Sequence, residues 1–151
     1  MLNSIRKQQI FEFAGKFDNM LAKRVSIITS AAGVVLGLLG LFLPWGEWMW
    51  RPPSGEWSLV LGINNMLGWF SLIGLLLAAL SWVLFKAKRQ KFSPMLAMVG
   101  GIVIMMSAFA WIASPGALLY TGWSKDYIAS YGAYVSFVGG ALTFAGAALV
   151  L

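Results

Sequence analysis

Four long runs of apolar residues dominate the chain, and short stretches of charged or aromatic residues separate them. The runs cover residues 25–43, 58–85, 94–114 and 130–151. A helix rises about 1.5 Å per residue, so each run is long enough to cross a hydrocarbon core of about 30 Å. The second run is longer than that thickness requires, and we expect it to tilt or to lay its first turn at the interface. The pattern predicts an all-α membrane protein, a bundle of four transmembrane helices.

Residues 1–24 show a different pattern. Apolar side chains recur there at spacings of three and four residues, at Ile10, Phe13, Phe17 and Leu21. This spacing places them on one face of a helix, with lysine and arginine around the remainder. We therefore predict an N-terminal amphipathic helix, residues 1–24, that lies on the cytoplasmic leaflet and leads into a transmembrane domain, residues 25–151. The alternative is that this helix binds a cytoplasmic partner.

Lysine and arginine are concentrated on one side of the predicted bundle. Of the 11 such residues, only Arg51 and Lys125 fall on the other side. Positive charge accumulates in cytoplasmic loops, so we expect both termini in the cytoplasm and the chain in the cell membrane of a prokaryote. Anionic lipid headgroups on the cytoplasmic face then account for the net charge of +6, and nucleic acid is not expected as a partner.

Composition narrows the chemistry that the chain could perform. The sequence contains no cysteine and no histidine, and only 11% of its residues are charged. The commonest metal and haem ligands and the usual proton shuttle near neutral pH are therefore missing. None of the four apolar runs contains Asp, Glu, Lys or Arg. We expect no catalytic residue, no cofactor and no metal site, and so a protein that is not an enzyme.

Tryptophans gather where the predicted spans meet the outer surface, at Trp45, Trp48, Trp50, Trp57 and Trp123. The indole ring is apolar but its N–H favours water, which makes tryptophan typical of membrane interfaces. We predict that these residues are interfacial anchors around a turn at Pro52 and Pro53. The alternative is an outer surface that contacts another protein.

Small residues form stripes on the first and fourth predicted spans. These are Thr29, Gly33 and Gly37 on the first, and Gly132, Ser136, Gly139, Gly140 and Thr143 on the fourth. Such stripes allow helix backbones to approach closely in lipid. The fourth helix is thus predicted to contact protein, either the first span of the same chain or a neighbouring subunit.

Polar residues are few inside the predicted spans. Two amides, Asn64 and Asn65, stand near the start of the second span, and Ser71 follows them. An amide that faces the bundle would bridge helices. Alternatively, these residues line a polar cavity that opens to the outside.

A weak internal repeat relates the two halves of the chain. Pro44 and Pro115 are 71 residues apart, and so are Gly68 and Gly139. The spacing indicates two copies of a helix–loop–helix unit. Its first helix ends in Leu43-Pro44-Trp45 in one copy and in Ser114-Pro115 in the other.

These motifs resemble those of small bacterial and archaeal four-span membrane proteins, which are built of helix pairs with LPW or SPW at the outer end of the first helix. Spaced glycines in the second helix accompany the motif, here at positions 62, 68, 74, 132, 139, 140 and 146. The resemblance covers most of the chain after residue 25 and implies a four-helix fold and a membrane location. A looser resemblance to claudin-type tetraspans rests on the Trp-Gly-x-Trp at residues 45–48, although the cysteine pair of those proteins is absent.

Three functions remain open. The first is a non-catalytic accessory or structural subunit that packs against other membrane proteins, or against copies of itself, through the first and fourth spans. The second is a small homo-oligomeric channel or carrier lined by Asn64, Asn65 and Ser71. The third is a membrane sensor whose inner-face basic residues contact a cytoplasmic partner, at Lys86, Lys88, Arg89 and Lys91. The small-residue stripes and the lack of reactive residues favour the first.

Overall fold

The structure is a computed structural model and describes residues 2–48, 59–87, 92–115 and 127–149, which are mostly helical. Its helices are α1 (Leu2–Phe42), α2 (Met66–Lys86), α3 (Phe92–Ala113) and α4 (Tyr131–Ala148). Three short strands lie between them, β1 (Pro44–Trp48), β2 (Leu59–Leu61) and β3 (Tyr127–Ala129). A 3-10 turn, Gly62–Asn64, joins β2 to the start of α2.

Helix α1 is one uninterrupted helix of 41 residues. The boundary predicted at residue 24 is not a break in the backbone. Residues 16–32 contain neither proline nor glycine, so nothing there ends the helix. The N-terminal segment therefore runs without a break into the apolar segment Met20–Phe42.

Three helical segments are long and apolar enough to cross a membrane: Met20–Phe42, Met66–Lys86 and Phe92–Ala113. The prediction of membrane-length apolar helices is confirmed for these three. Helix α4, with 18 residues, is not among them. It is rich in glycine and alanine, which are less apolar than leucine, isoleucine and valine, and these three residue types are more frequent in the other helices.

The helices pack in the order α1, α4, α3, α2, and only a sparse contact joins α2 back to α1. Helices α1 and α4, the first and the last along the chain, are therefore neighbours in the bundle. A cluster of buried side chains fills the bundle near one end, including Leu41, Leu75, Ile104 and Trp111. Large apolar side chains also cover the outer surfaces of the helices, as helices that face lipid require.

The strands form a small sheet, which corrects the all-α prediction. β1 is the central strand, and β2 and β3 pair with it antiparallel on either side. Since β1 follows α1 while β2 and β3 precede α2 and α4, the sheet lies at one end of the bundle. Both predicted outer loops thus contribute strands to a single structure. Strands of three to five residues are too short for an alternating pattern to stand out in the sequence.

The start of the second helix also differs from the prediction. Helix α2 begins at Met66, whereas the apolar run begins at residue 58. β2 and the 3-10 turn occupy most of the residues between. A short apolar run is as compatible with a half-buried strand as with a helix, and hydropathy does not separate the two.

Candidate functional sites at the two ends of the bundle

Glycines and small hydroxyl residues bring α1 and α4 into backbone contact. A side chain at Gly33 would overlap the backbone of Thr143 and Gly139. A side chain at Gly40 would overlap Ser136 in the same way. All but Gly40 belong to the two predicted stripes. These parts of the two stripes therefore face each other within one chain, and the fourth helix packs on the first helix of the same chain.

The same kind of contact joins α3 to both of its neighbours. A Cβ atom added at Gly140 of α4 would lie 2.8 Å from the carbonyl oxygen of Gly101. On the other side of α3, a Cβ atom added at Gly74 of α2 would lie 2.7 Å from the carbonyl oxygen of Gly100. Side chains do not tolerate such distances, so each glycine is required where these backbones meet. Contacts of this kind close every helix interface except the one between α1 and α2.

Three further predicted packing residues have other surroundings. A Cβ atom added at Gly37 would lie 3.1 Å from Cδ2 of Leu75 on α2, while the Gly37 backbone lies against Gly139 of α4. Gly132 packs against the main-chain carbonyl group of Leu43 at the sheet end. Thr29 is partly exposed. Most of the small-residue stripe is thus used inside the bundle.

The two predicted amides differ in role. Asn65 is buried and caps α2, since its Oδ1 accepts a hydrogen bond from the Gly68 N–H at 2.8 Å. Its Nδ2 donates to the Leu61 carbonyl at 3.4 Å. Asn64 is exposed in the 3-10 turn. Both bonds of Asn65 are local, so this amide stabilises a helix end and does not bridge two helices.

Ser71 lies apart from this cap, on the buried face of α2. Its hydroxyl is fully buried and has no hydrogen-bond partner among the described residues. The three residues predicted to form a polar cavity therefore occupy three different environments: exposed, capping and buried.

Trp45 sits at the junction between the sheet and the bundle, which corrects its prediction as an interfacial anchor. The side chain is fully buried, and its Nε1 donates to the Gly40 carbonyl at 2.8 Å. The pairing of β1 with β2 shifts register between Pro44 and Gly46, so Trp45 is the extra residue of a β-bulge. A bulge re-aims a side chain. Here the bulge turns the Trp45 indole into the bundle. Val60 of β2, which is partly buried, packs against the same core.

Trp111 of α3 completes this junction. Its ring centroid lies 6.3 Å from that of Trp45, with 60° between the ring planes. Its Nε1 donates to the main-chain carbonyl of Trp45, and the Ser130 N–H donates to the same oxygen at 2.8 Å. Gly62 leaves room for the indole, because a side chain there would overlap the Trp45 ring. One carbonyl group thus connects β1 to α3 and to the start of α4.

The other face of the sheet carries a carboxylate between two apolar side chains. Glu47 pairs with Leu59 of β2 and with Ile128 of β3, and directly paired residues point to the same face. Leu59 and Ile128 are 49% and 46% exposed. The Ser130 hydroxyl donates to Oε1 of Glu47 at 2.8 Å and orients the carboxylate. We call Leu59, Glu47 and Ile128 the outward sheet face.

At the opposite end of the bundle, residues of all four helices line a cavity of about 350 Å³. It lies between α1 and α2, where the close packing of the other interfaces is missing. Small buried residues form its floor, among them Ser93, Ala97 and Ala147. Exposed apolar residues form its rims, Ile27 on α1 and Trp82 and Phe85 on α2. We call this cavity the inner groove.

On each side of the inner groove, a serine hydroxyl forms a hydrogen bond that joins two neighbouring helices. Ser26 of α1 donates to the Gly146 carbonyl of α4, and Ser93 of α3 donates to the Ser81 carbonyl of α2 at 2.8 Å. Ser81 in turn donates to the Ala78 carbonyl at 2.6 Å. The groove therefore separates two joined helix pairs, α1 with α4 and α2 with α3. Because these three hydroxyls are already bonded to protein carbonyls, they leave the groove largely apolar.

Two exposed lysines stand at the end of the groove farthest from the sheet. Lys23 lies on α1 and Lys86 in the last turn of α2, and both line the groove. Lys86 is one of the four predicted inner-face basic residues. The other three, Lys88, Arg89 and Lys91, lie outside the described residues, as do Trp50, Trp57 and Trp123. Trp48 ends β1.

The sequence matches no known protein family, and no curated protein is similar to it. Function is therefore inferred from the residues and their geometry. The outward sheet face and the inner groove are the two features that sequence patterns did not predict. For the groove, the only signal was a lysine at the same end of each of two apolar helices.

Proposed function

We propose that the chain is a four-span, non-catalytic integral membrane protein that serves as an accessory subunit of a larger membrane assembly. The observation that carries this proposal is the glycine-to-backbone packing that closes three helix interfaces. Such packing fills the interior of the bundle. In the described segments from residue 20 to 149, the charged side chains are those of Lys23, Arg24, Glu47 and Lys86. Glu47 lies in the sheet, and the other three lie at the opposite end of the bundle. The surfaces that remain free to bind other molecules are therefore on the outside of the bundle.

Helix α4 would be the fourth span. Its 18 residues give about 27 Å at 1.5 Å per residue, close to a hydrocarbon thickness of about 30 Å. Its glycine face packs on α1, so less of its surface has to be apolar for contact with lipid. Four spans put both termini on one side, and the bias of lysine and arginine assigns that side to the cytoplasm of a prokaryotic cell.

The outward sheet face would contact the partner subunit. The glycines of the small-residue stripes are occupied within the chain, so they are not free for a second protein. Leu59 and Ile128 expose about half of their surface, at the end of the bundle that would face the outside under the proposed orientation. Apolar side chains around one oriented carboxylate are typical of a protein contact.

Single-cysteine labelling tests the membrane topology. The natural chain has no cysteine, so each introduced thiol is unique. Ala87→Cys, Ser114→Cys and Leu149→Cys place thiols at exposed positions after α2, α3 and α4. A membrane-impermeant maleimide is expected to label only Ser114→Cys in intact cells and the other two only in inverted vesicles. Labelling of Leu149→Cys together with Ser114→Cys would show that α4 does not cross.

Native mass spectrometry of the particle extracted in mild detergent tests the subunit role. We expect a particle that contains other proteins besides the 16.4 kDa chain. Leu59→Ala with Ile128→Ala is expected to release the chain from it, whereas Leu76→Ala with Met106→Ala, at exposed positions on α2 and α3, is not. A particle of identical chains would favour the channel or carrier. A chain that is alone in every preparation would refute the accessory role.

A further inference from the structure

The inner groove combines an apolar interior with a positively charged entrance. Its rims are aromatic and aliphatic, and three of its serine hydroxyls are bonded to backbone carbonyls. Lys23 and Lys86 stand on opposite sides of the entrance, one on each of the helices that the groove separates. The apolar interior is therefore compatible with a hydrocarbon chain, and the two lysines at the entrance are compatible with an anionic group.

The backbone adds to the positive potential at this entrance. Ser93 and Pro94, in the first turn of α3, both line the groove. The N-terminal end of a helix carries a partial positive charge from its unpaired N–H groups. Two lysines and this helix end therefore surround the same opening.

The size of the groove selects its occupant. A cavity of about 350 Å³ is at the small end of the range for ligand pockets, about 300–1,000 Å³. A neighbouring helix is about 10–12 Å across and would not enter it, whereas an extended acyl chain would. From Lys23 to Ser30 the groove follows two turns of α1, about 10 Å, which leads from the headgroup level into the hydrocarbon.

The internal repeat predicted from the sequence allows this opening to be compared with the other half of the molecule. Helices α3 and α4 close against each other at Gly101 and Gly140, and the corresponding pair in the first half is α1 and α2. The 71-residue offset places Ser30 at the position of Gly101. Ser30 packs against Gly146 of α4 and lines the groove, and no comparable contact with α2 closes it.

We infer that the inner groove is a binding site for one anionic phospholipid. One acyl chain would lie between α1 and α2, and the phosphate would contact Lys23 and Lys86. Basic pockets between membrane-spanning helices on the cytoplasmic side have the chemistry to bind such headgroups. The site rests on the proposed membrane topology, in which this end of the bundle faces the cytoplasmic leaflet.

Native mass spectrometry of the delipidated full-length chain in detergent tests this site directly. The probes are phosphatidylglycerol and phosphatidylcholine with the same acyl chains, together with sn-glycerol 3-phosphate as a soluble headgroup. We expect one phosphatidylglycerol to bind more tightly than phosphatidylcholine by about 10- to 30-fold, the effect of two lysines near a lipid surface. The soluble phosphate is expected neither to bind nor to compete, since it lacks the acyl chain. Competition by it would show a simple anion site and overturn the lipid assignment.

Two pairs of variants locate the binding. Lys23→Gln should weaken the preference for phosphatidylglycerol and Lys23→Gln with Lys86→Gln should remove it, whereas Arg24→Gln should keep it. Arg24→Gln loses the same single charge as Lys23→Gln, at the next position but off the lining. Ile27→Trp should block the groove from its α1 rim and weaken both lipids. Ile28→Trp, at an adjacent position that is 69% exposed, should weaken neither.

The possible failures are distinguishable. Equal binding of the two lipids, or equal losses in Arg24→Gln and in the double lysine variant, would overturn the lipid site even if cysteine labelling gives four spans. A labelling pattern without four spans would overturn the topology, while the purified chain would still reveal whether the groove prefers phosphatidylglycerol. The mass of the extracted particle decides the subunit role independently of either result.

Discussion

Trp111 in α3 donates its indole N–H to the main-chain carbonyl of Trp45 in β1, although 66 residues separate them in sequence. This bond joins the central strand of the sheet to a helix that is not next to it along the chain. The amide of Ser130 donates to the same carbonyl and adds the start of α4 to the junction. The sheet is therefore fixed to the bundle at its central strand, in addition to the chain connections from β2 to α2 and from β3 to α4.

Trp111→Phe is expected to destabilise the protein, because it retains an aromatic ring but loses the N–H that reaches the Trp45 carbonyl. We expect a loss of about 1–3 kcal/mol in the free energy of unfolding. Trp69→Phe is the matched control, since that ring lies half-exposed on α2 and should change stability by less than about 0.5 kcal/mol. Unfolding in detergent followed by circular dichroism measures both. Equal stabilities would mean that the indole bond does not contribute.

Asn65→Ala is expected to weaken the start of α2 by about 1 kcal/mol, because the Gly68 N–H loses its acceptor. Asn65→Asp keeps an acceptor and should retain most of the stability. Asn64→Ala, at an exposed position in the turn, is the control and should be close to neutral. A channel lined by both amides predicts instead that Asn64→Ala alters flux in reconstituted vesicles at unchanged stability.

Gly33→Leu should prevent the native contact between α1 and α4, because its side chain would overlap the backbone of Thr143. Overpacking of this kind costs about 1–3 kcal/mol or more. Ala32→Leu adds a similar side chain at the adjacent, exposed position and should leave the bundle intact. Resistance to unfolding by sodium dodecyl sulfate would report the difference. If both variants unfold alike, the interface tolerates a side chain at Gly33 and the packing is looser than described.

Ser136→Ala and Ser26→Ala are expected to have opposite effects, although both remove a buried hydroxyl. The Ser136 hydroxyl is buried without a hydrogen-bond partner among the described residues, so its loss should be neutral or stabilising. The Ser26 hydroxyl donates to the Gly146 carbonyl, and its loss should cost about 0.5–1.5 kcal/mol. The same detergent unfolding assay compares them. A larger loss for Ser136→Ala would reveal a partner that the described residues do not include.

Sequence patterns predict the helices well where the apolar signal is long, and poorly where one residue changes the geometry. The apolar run that leads into α2 also contains Leu59–Leu61. These residues are as apolar as those of the helix, but they form a strand. Trp45 has the residue type and the sequence context typical of an interfacial anchor, but it lies at a bulge in β1 and is fully buried. The stripes on α1 and α4 predict close packing, but spacing alone does not identify the partner.

The groove could not be predicted for a different reason. It depends on a contact that α1 and α2 do not make, and a missing contact leaves no periodic signal in the sequence. Lys23 and Lys86 come together only when the two helices run antiparallel side by side. Each lysine alone is explained by the excess of positive charge on the cytoplasmic side.

The bond between Ser26 and Gly146 spans 120 residues, so the first helix packs along the last of the four. A chain is synthesised from its N-terminus, and α1 therefore enters the membrane well before the helix that covers its glycine face exists. Helices α2 and α3 are joined by a short connection and can pair at once. The contact between α1 and α4 is the most non-local in the fold, and forming it should limit the rate of assembly. Until α4 arrives, a newly made chain exposes an uncovered small-residue surface, which cellular quality control could recognise as incomplete.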